Sequence, residues 1–219
     1  GEVILLLLIL LLGSLVSKVV LRPWQHWPAA MGIEFDDDFS NPFLESYTYT
    51  HTFAHPVKAQ PAMLVVIRRG DVEVHGADLN AVEAVVKKTV RAPNEGAAKE
   101  LSDKLRIELV EQAGRYLLQT NLDSLPNSGR NVQLDITLRV PKDTSAEINT
   151  ERGDVVLDGV TGDQTLTARR GDVRADKIEG LVRVHKAGGD TTVQDVKGNL
   201  EVDGRGGDVE VAGVTGTVA

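Results

Sequence analysis

The chain is 219 residues long, carries a formal net charge of −8 and contains no cysteine, which excludes disulfides, thiol catalysis and cysteine-bound metals. The acidic balance and the lack of a basic patch argue against a nucleic-acid partner. Aromatic residues make up only 4%, so the core has to be built from stacked aliphatic side chains.

Val3–Leu21 reads VILLLLILLLGSLVSKVVL, and no charge falls between Val3 and Ser17. At about 1.5 Å per residue this stretch spans roughly 28 Å, close to the ~30 Å hydrocarbon core of a bilayer. Lys18 and Arg22 can snorkel, and Trp24 and Trp27 sit where an interfacial aromatic belt belongs. The competing reading is the apolar region of a cleaved signal peptide. No small-x-small site follows closely, and Pro28-Ala29-Ala30 is the nearest weak match. A retained single-pass anchor is therefore expected, with residues 1–28 as anchor and interfacial segment and membrane lipid as its partner. Residues 29–45 read as a linker, acidic and turn-rich over Gly32–Pro42. Asp36-Asp37-Asp38 there is a solvated run rather than a cation site.

Residues 46–150 read as a β-rich part with one helix. Glu45–Phe53 alternates, with Tyr47, Tyr49, His51 and Phe53 on one face. His51 and His55, four apart on a strand, lie about 13 Å from each other and cannot share one metal ion. Met63–Val74 reads as a strand pair around Arg69-Gly70-Asp71, and Val82–Val90 as a further strand. Asn94–Leu105 is the one soluble helix, with Asn94 as N-cap and Ala98, Leu101 and Leu105 on one face. Arg106–Gln112 and Arg115–Thr120 flank Gly114 as a hairpin. Asn131–Val140 alternates up to Pro141, and Ser145–Thr150 leads into the next region.

From residue 151 to 219 the sequence repeats. Glycine falls at 153, 162, 171, 180, 189, 198, 207 and 216, a strict interval of nine, and a period of eighteen lies over it. Counting each odd-numbered glycine of that set as position 1, position 2 is Asp154, Asp172, Asp190 and Asp208. Position 3 is Val155, Val173, Thr191 and Val209, and position 8 is Val160, Ile178, Val196 and Val214. Each nonamer is a short alternating β-run between glycine turns. Such self-similarity marks a stacked architecture. The expectation is a β-solenoid of eighteen-residue coils, chosen over an antiparallel meander of nine-residue hairpins because position 8 is apolar while position 17 is Arg169, Ala187 and Arg205. One coil cannot stand alone, since about five buried aliphatics at ~1.5–3 kcal/mol each do not offset the ordering of eighteen residues at ~1–2 kcal/mol each. Ala219 falls inside what should be a strand, so the repeat is expected to continue beyond it. Gly70-Asp71-Val72-Glu73-Val74 equals Gly207-Asp208-Val209-Glu210-Val211 in every residue and reads as an outlying copy.

This order of parts resembles the bacterial adhesin-type family of β-strand repeats, the toastrack-like domains. The Gly70–Val74 turn, one helix, the strand closing in Leu138-Arg139-Val140-Pro141 and the tandem repeats from Arg152-Gly153-Asp154 carry the resemblance. It implies an exported, anchored β-domain on the extracytoplasmic side of a bacterial membrane. By the positive-inside rule Lys18 and Arg22 would instead put the domain in the cytoplasm. The extracytoplasmic placement is the one we expect.

Arg-Gly-Asp occurs at 69–71, 152–154 and 170–172, each time running into the repeat's own Gly-Asp-Val, so a structural turn explains it better than integrin-type recognition. The aspartates at position 2 stack about 4.8 Å apart and repel. Solvent and partial pairing with Arg152, Arg170 and Arg205 are expected to offset this. Gly188-Gly189-Asp190 and Gly206-Gly207-Asp208 fall short of the calcium β-roll pattern by one glycine. No Ser/His/Asp set, phosphate loop or isolated carboxylate pair stands out, which leaves the glycan-active β-helix enzyme as a remote alternative. The expectation is therefore a non-enzymatic module with no catalytic, cofactor or metal site and no small-molecule substrate. It would be an accessory subunit of a larger membrane complex, respiratory or photosynthetic, touching other subunits through its anchor and one solenoid face. The alternative is an adhesin-like or envelope-stress module.

Overall fold

A computed structural model of the chain describes residues 44–125 and 131–219, all within one compact unit, Pro42–Ala219. The expected anchor, Trp24, Trp27 and Asp36–Asp38 lie outside the described residues. Among the described residues no helix is long and apolar enough to cross a membrane.

The described chain is mainly β, with one short α-helix. Its strands are β1 (Glu45–Pro56), β2 (Ala62–Arg69), β3 (Val72–Ala77), β4 (Ala81–Ala92), β5 (Ile107–Gln112), β6 (Arg115–Thr120), β7 (Val132–Pro141) and β8 (Ser145–Arg152). The repeat supplies β9 (Val155–Asp158), β10 (Gln164–Ala168), β11 (Val173–Glu179), β12 (Val182–Lys186), β13 (Thr191–Lys197), β14 (Leu200–Gly204) and β15 (Val209–Ala212). Helix α1 (Glu95–Lys104) lies between β4 and β5. The strands form two open sheets, ordered β1-β4-β7-β3-β9-β11-β13-β15 and β14-β12-β10-β8-β2-β6-β5.

Within the repeat, consecutive strands alternate between the two sheets, and each pairs in parallel with the strand eighteen residues away. Val173 lies against Val155 on one side and Thr191 on the other, and Thr191 lies against Val209. Neighbours are thus parallel and eighteen apart, not antiparallel and nine apart. The column extends below the repeat through Val72 to Ile136, so the outlying copy at Gly70–Val74 is a layer of the same stack. Sequence alone paired β2 with β3 around Gly70, and this is corrected. The corner at Gly70 sends β2 into the seven-stranded sheet and β3 into the eight-stranded one. The chain crosses from one sheet to the other at every glycine corner of the repeat, so adjacent strands in sequence never share a ladder there.

The core lies where the inward rows of both sheets interdigitate. Ile136, Val72, Val155 and Val173 are at most 1% exposed, as are Leu157, Ala175 and Val193 in the next inward row. Burial of β-branched side chains in continuous columns gives ~1.5–3 kcal/mol each and suits the pleated surface they occupy. The corner glycines are required by close approach. A Cβ on Gly171 would sit 2.6 Å from the carbonyl carbon of Gly153 one layer below, closer still to its oxygen, and the residue's φ of +131° is one that side chains rarely adopt.

At the antiparallel end, β4 pairs with both β1 and β7. The Asn94 side chain accepts the Ala97 N–H at 2.9 Å and caps α1, while Ala98 and Leu105 bury its apolar face as expected. Its other end is closed by Lys88 of β4, whose buried ammonium donates to the carbonyls of Ser102 (3.1 Å) and Leu105 (3.0 Å). The hairpin of β5 and β6 turns through Ala113 and Gly114, both at positive φ.

Candidate interaction surface

The sequence offered the aspartate column, the Arg-Gly-Asp turns and the histidines for inspection, and the structure gives each a place. The aspartates form a ladder. The carboxylate of Asp71 accepts the backbone N–H of Asp154 (2.9 Å), Asp154 accepts from Asp172 (2.8 Å), Asp172 from Asp190 (2.6 Å) and Asp190 from Asp208 (2.8 Å). Asn199 does the same for Thr217 at the opposite corner (2.9 Å). Asp172, Asp190 and Asp208 are exposed to solvent as expected, and the N–H that each lower carboxylate accepts comes in addition, a partner the sequence did not show. At a glycine corner the backbone leaves both ladders, so its N–H needs an acceptor, and a short carboxylate one layer below supplies it. Burial pushes the Asp71 and Asp154 carboxyls up from their ordinary value, against the pull of the N–H each accepts. The Arg-Gly-Asp aspartates at 71, 154 and 172 are all rungs of this ladder.

The histidines of β1 pack against aromatic rings. His51 lies 5.7 Å from Phe53, and His55 meets Tyr116 edge-on at 6.0 Å. Burial and the nearby Lys88 charge hold the His51 imidazole below its usual value. Among the described residues no three His, Asp or Glu side chains converge as metal ligands.

Two features escaped the sequence reading. Lys186, in line with Ala168 below and Gly204 above, is a buried amine with no hydrogen-bond partner among the described residues. Burial pushes its pKa down, while the carboxylates of Asp172, Asp190 and Asp208 favour its charge. Its polar head was unexpected because sequence periodicity reports direction, not partners.

The second feature is an aliphatic patch on the outer side of the seven-stranded sheet. Leu64 of β2 lies beside Leu117 of β6, which lies beside Val110 of β5. Val66, two residues along β2 on the same side, is 51% exposed. Leu64, Leu117 and Val110 are half-buried. The same row continues through Glu147, Thr165, Arg183 and Glu201, so it passes from apolar to charged across the sheet. The Arg115–Glu147 pair at 2.7 Å marks the boundary. The available signals were the runs Met63–Ile67 and Leu117-Leu118, in which residues of both parities are aliphatic. An unbroken apolar run means a strand covered on both faces, and here only the inner face is covered by described residues.

These features define a mainly β protein of two layered sheets. No family model and no curated protein matches the chain. Among solved structures it is similar to a candidate cell-adhesion protein from Clostridium sporogenes, at 12% identity over 80% of this chain and 100% of that one, with a TM-score of 0.49. It is also similar to a candidate adhesin from Bacteroides fragilis (12% identity, 78% and 96% coverage, TM-score 0.27). A third is a protein from Parabacteroides distasonis named for lipid binding (9% identity, 78% and 96% coverage, TM-score 0.31).

Proposed function

We propose that the chain is a non-enzymatic β-solenoid held at a bacterial membrane by Val3–Leu21, on the extracytoplasmic side, where it docks a protein subunit of a larger membrane assembly. The observation that carries this reading is the patch of Leu64, Val66, Val110 and Leu117 on a solvent-facing sheet. Exposed contiguous aliphatics rimmed by charge mark interaction surfaces. The flat layered face gives such a partner many small contacts rather than one pocket. The apolar segment of the sequence would hold the domain beside other membrane proteins.

Affinity capture from gently solubilised membranes tests the proposal. The native chain should retain a specific membrane-protein partner, and Val66→Asp, which changes an exposed side chain, should lose it without unfolding. Undiminished capture by Val66→Asp would move the interface elsewhere. Turnover of a glycan by the purified chain, abolished by one carboxylate substitution, would overturn the non-enzymatic reading.

A further inference from the structure

Strand β1 is the edge of the eight-stranded sheet, and among the described residues it pairs on one side only, with β4. Its twelve residues run about 40 Å at ~3.4 Å each. Proteins guard edges of this length with lysines, bulges, prolines or short strands, because an open row of N–H and C=O groups recruits another strand. Between Ser46 and His55 there is no lysine, arginine, carboxylate or proline. Among the described residues nothing covers this edge, and the sequence of β1 can serve as its own complement.

The strand is chemically symmetric about Thr50. Turned antiparallel against itself with Thr50 opposite Thr50, it sets Tyr49 against His51, Tyr47 against Phe53 and Glu45 against His55 on one face. On the other it sets Thr48 against Thr52 and Ser46 against Ala54. Directly opposed residues of antiparallel strands share a face, so the aromatic row joins the aromatic row and the threonine row joins the threonine row. Aromatic pairs, Thr–Thr pairs and opposite charges are the cross-strand pairs that stabilise sheets. A slip by two residues in one direction puts Tyr49 against Tyr49 and Glu45 against Phe53. The slip in the other direction puts His51 against His51 and leaves Glu45 without an opposite residue. Of these three registers the Thr50-centred one alone places the carboxylate opposite an imidazole. The aromatic row also has contacts to spare. Tyr47, Tyr49 and Phe53 pack only partly against the core, and the Tyr49 hydroxyl is buried without a hydrogen-bond partner among the described residues.

We propose that the chain forms a two-fold dimer in which β1 pairs antiparallel with β1 of a second copy, centred on Thr50, so that two eight-stranded sheets become one continuous sheet. The contact is one strand wide, at the small end of specific interfaces, so the dimer is reversible and depends on concentration. It lies on the opposite sheet from the aliphatic patch and is independent of any partner bound there.

Because the chain has no cysteine, single cysteines read the register. In the full chain in detergent, Thr50→Cys should give a disulfide-linked dimer under mild oxidation, since directly opposed Cα atoms lie about 4.5–5.5 Å apart, within reach of a disulfide. Thr48→Cys alone should not, because two copies of residue 48 are four residues out of register, about 14 Å apart. An equimolar mixture of Thr48→Cys and Thr52→Cys should link again. Thr50→Asp tests the same contact without oxidation. It sets a carboxylate beside Lys87 within the chain but carboxylate against carboxylate on the dyad, and should raise the dimer dissociation constant at least tenfold in sedimentation. A Thr50→Cys chain that stays monomeric on oxidation would overturn the proposal. So would Thr48→Cys linking as efficiently as Thr50→Cys, or a dimer indifferent to Thr50→Asp, as association through Val3–Leu21 would give.

Discussion

Replacing Gly171 by alanine should cost far more than replacing Gly114, although both have positive φ. At Gly114 a Cβ would meet nothing within 4 Å. The only penalty there is the backbone conformation, ~1–2 kcal/mol, less ~0.4–1 kcal/mol regained because alanine restricts the unfolded chain. At Gly171 the new carbon falls 2.6 Å from the Gly153 carbonyl carbon and 3.0 Å from Asp154 Oδ1. Carbon atoms in contact sit about 3.5 Å apart, so the corner has to lift by roughly 1 Å. On either side of it Gly153 N–H donates to Arg170 at 2.9 Å and Val155 N–H to Asp172 at 2.8 Å. A 1 Å lift takes both beyond hydrogen-bond range, for a loss of ~0.5–1.5 kcal/mol each. Gly171→Ala should therefore cost about 2–4 kcal/mol and Gly114→Ala at most about 1.5 kcal/mol. With a urea slope of ~1–3 kcal/mol/M, the two midpoints should differ by roughly 1 M. Coincident midpoints would refute the claim that contact between layers, rather than φ alone, requires glycine at the corners.

Val193, fully buried between Ala175 and Val211 in its column, should not tolerate aspartate. Loss of more than ~3 kcal/mol is expected from an unpaired buried carboxylate, and an unchanged thermal melt would place the residue outside the core. Asp154→Asn should be neutral or stabilising at pH 7, because the amide oxygen still accepts the Asp172 N–H while the buried charge is gone. The folded carboxyls of Asp71 and Asp154 are raised above the ordinary value of 3.8, so the folded state binds more protons. Their contribution to stability is greatest below the unfolded pKa and falls as pH rises through the folded one. The paired variant Asp71→Asn/Asp154→Asn should flatten that slope in denaturant melts run from pH 4 to 7, and an identical slope would contradict the assignment. Lys88→Met should cost ~1–3 kcal/mol by orphaning the carbonyls of Ser102 and Leu105, seen as faster amide exchange in α1. Unchanged exchange would show that the cap contributes nothing.

The fold was legible wherever the sequence carried a period or a cap. The apolar positions at Val155, Leu157 and Val160 fixed the inward rows, and Asn94 marked the start of α1. Other parts were silent because they depend on what lies one layer away. Nothing in Gly70-Asp71 says that the next strand leaves the sheet or that the carboxylate will accept an N–H from Asp154, eighty-three residues on. Left-handed backbone recurs at Gly159, Lys177, Asp195 and Gly213. Two of those four are not glycine, so no glycine count would have revealed a shared turn. The aliphatic patch was hidden for a different reason. Leu64 and Val66 look like core in a run whose neighbours Met63, Val65 and Ile67 are core, and only the position of the opposite sheet separates the two rows.

The aspartate ladder has a consequence for how this chain can change length over evolutionary time. Each rung presents an acceptor to the layer above and a donor to the layer below, so every layer of the repeat offers the same pair of faces. Excising Gly171–Gly188 would bring the Gly189 corner onto the Gly153 corner with every column continuous. Excising nine residues would instead transpose each following strand to the other sheet and shift residues such as Ala187 and Arg205 into the inward column of Val160, Ile178 and Val196. Insertion and loss are therefore free only in whole eighteens, and the stack behaves as a tally to which complete turns can be added or removed without rewriting the rest.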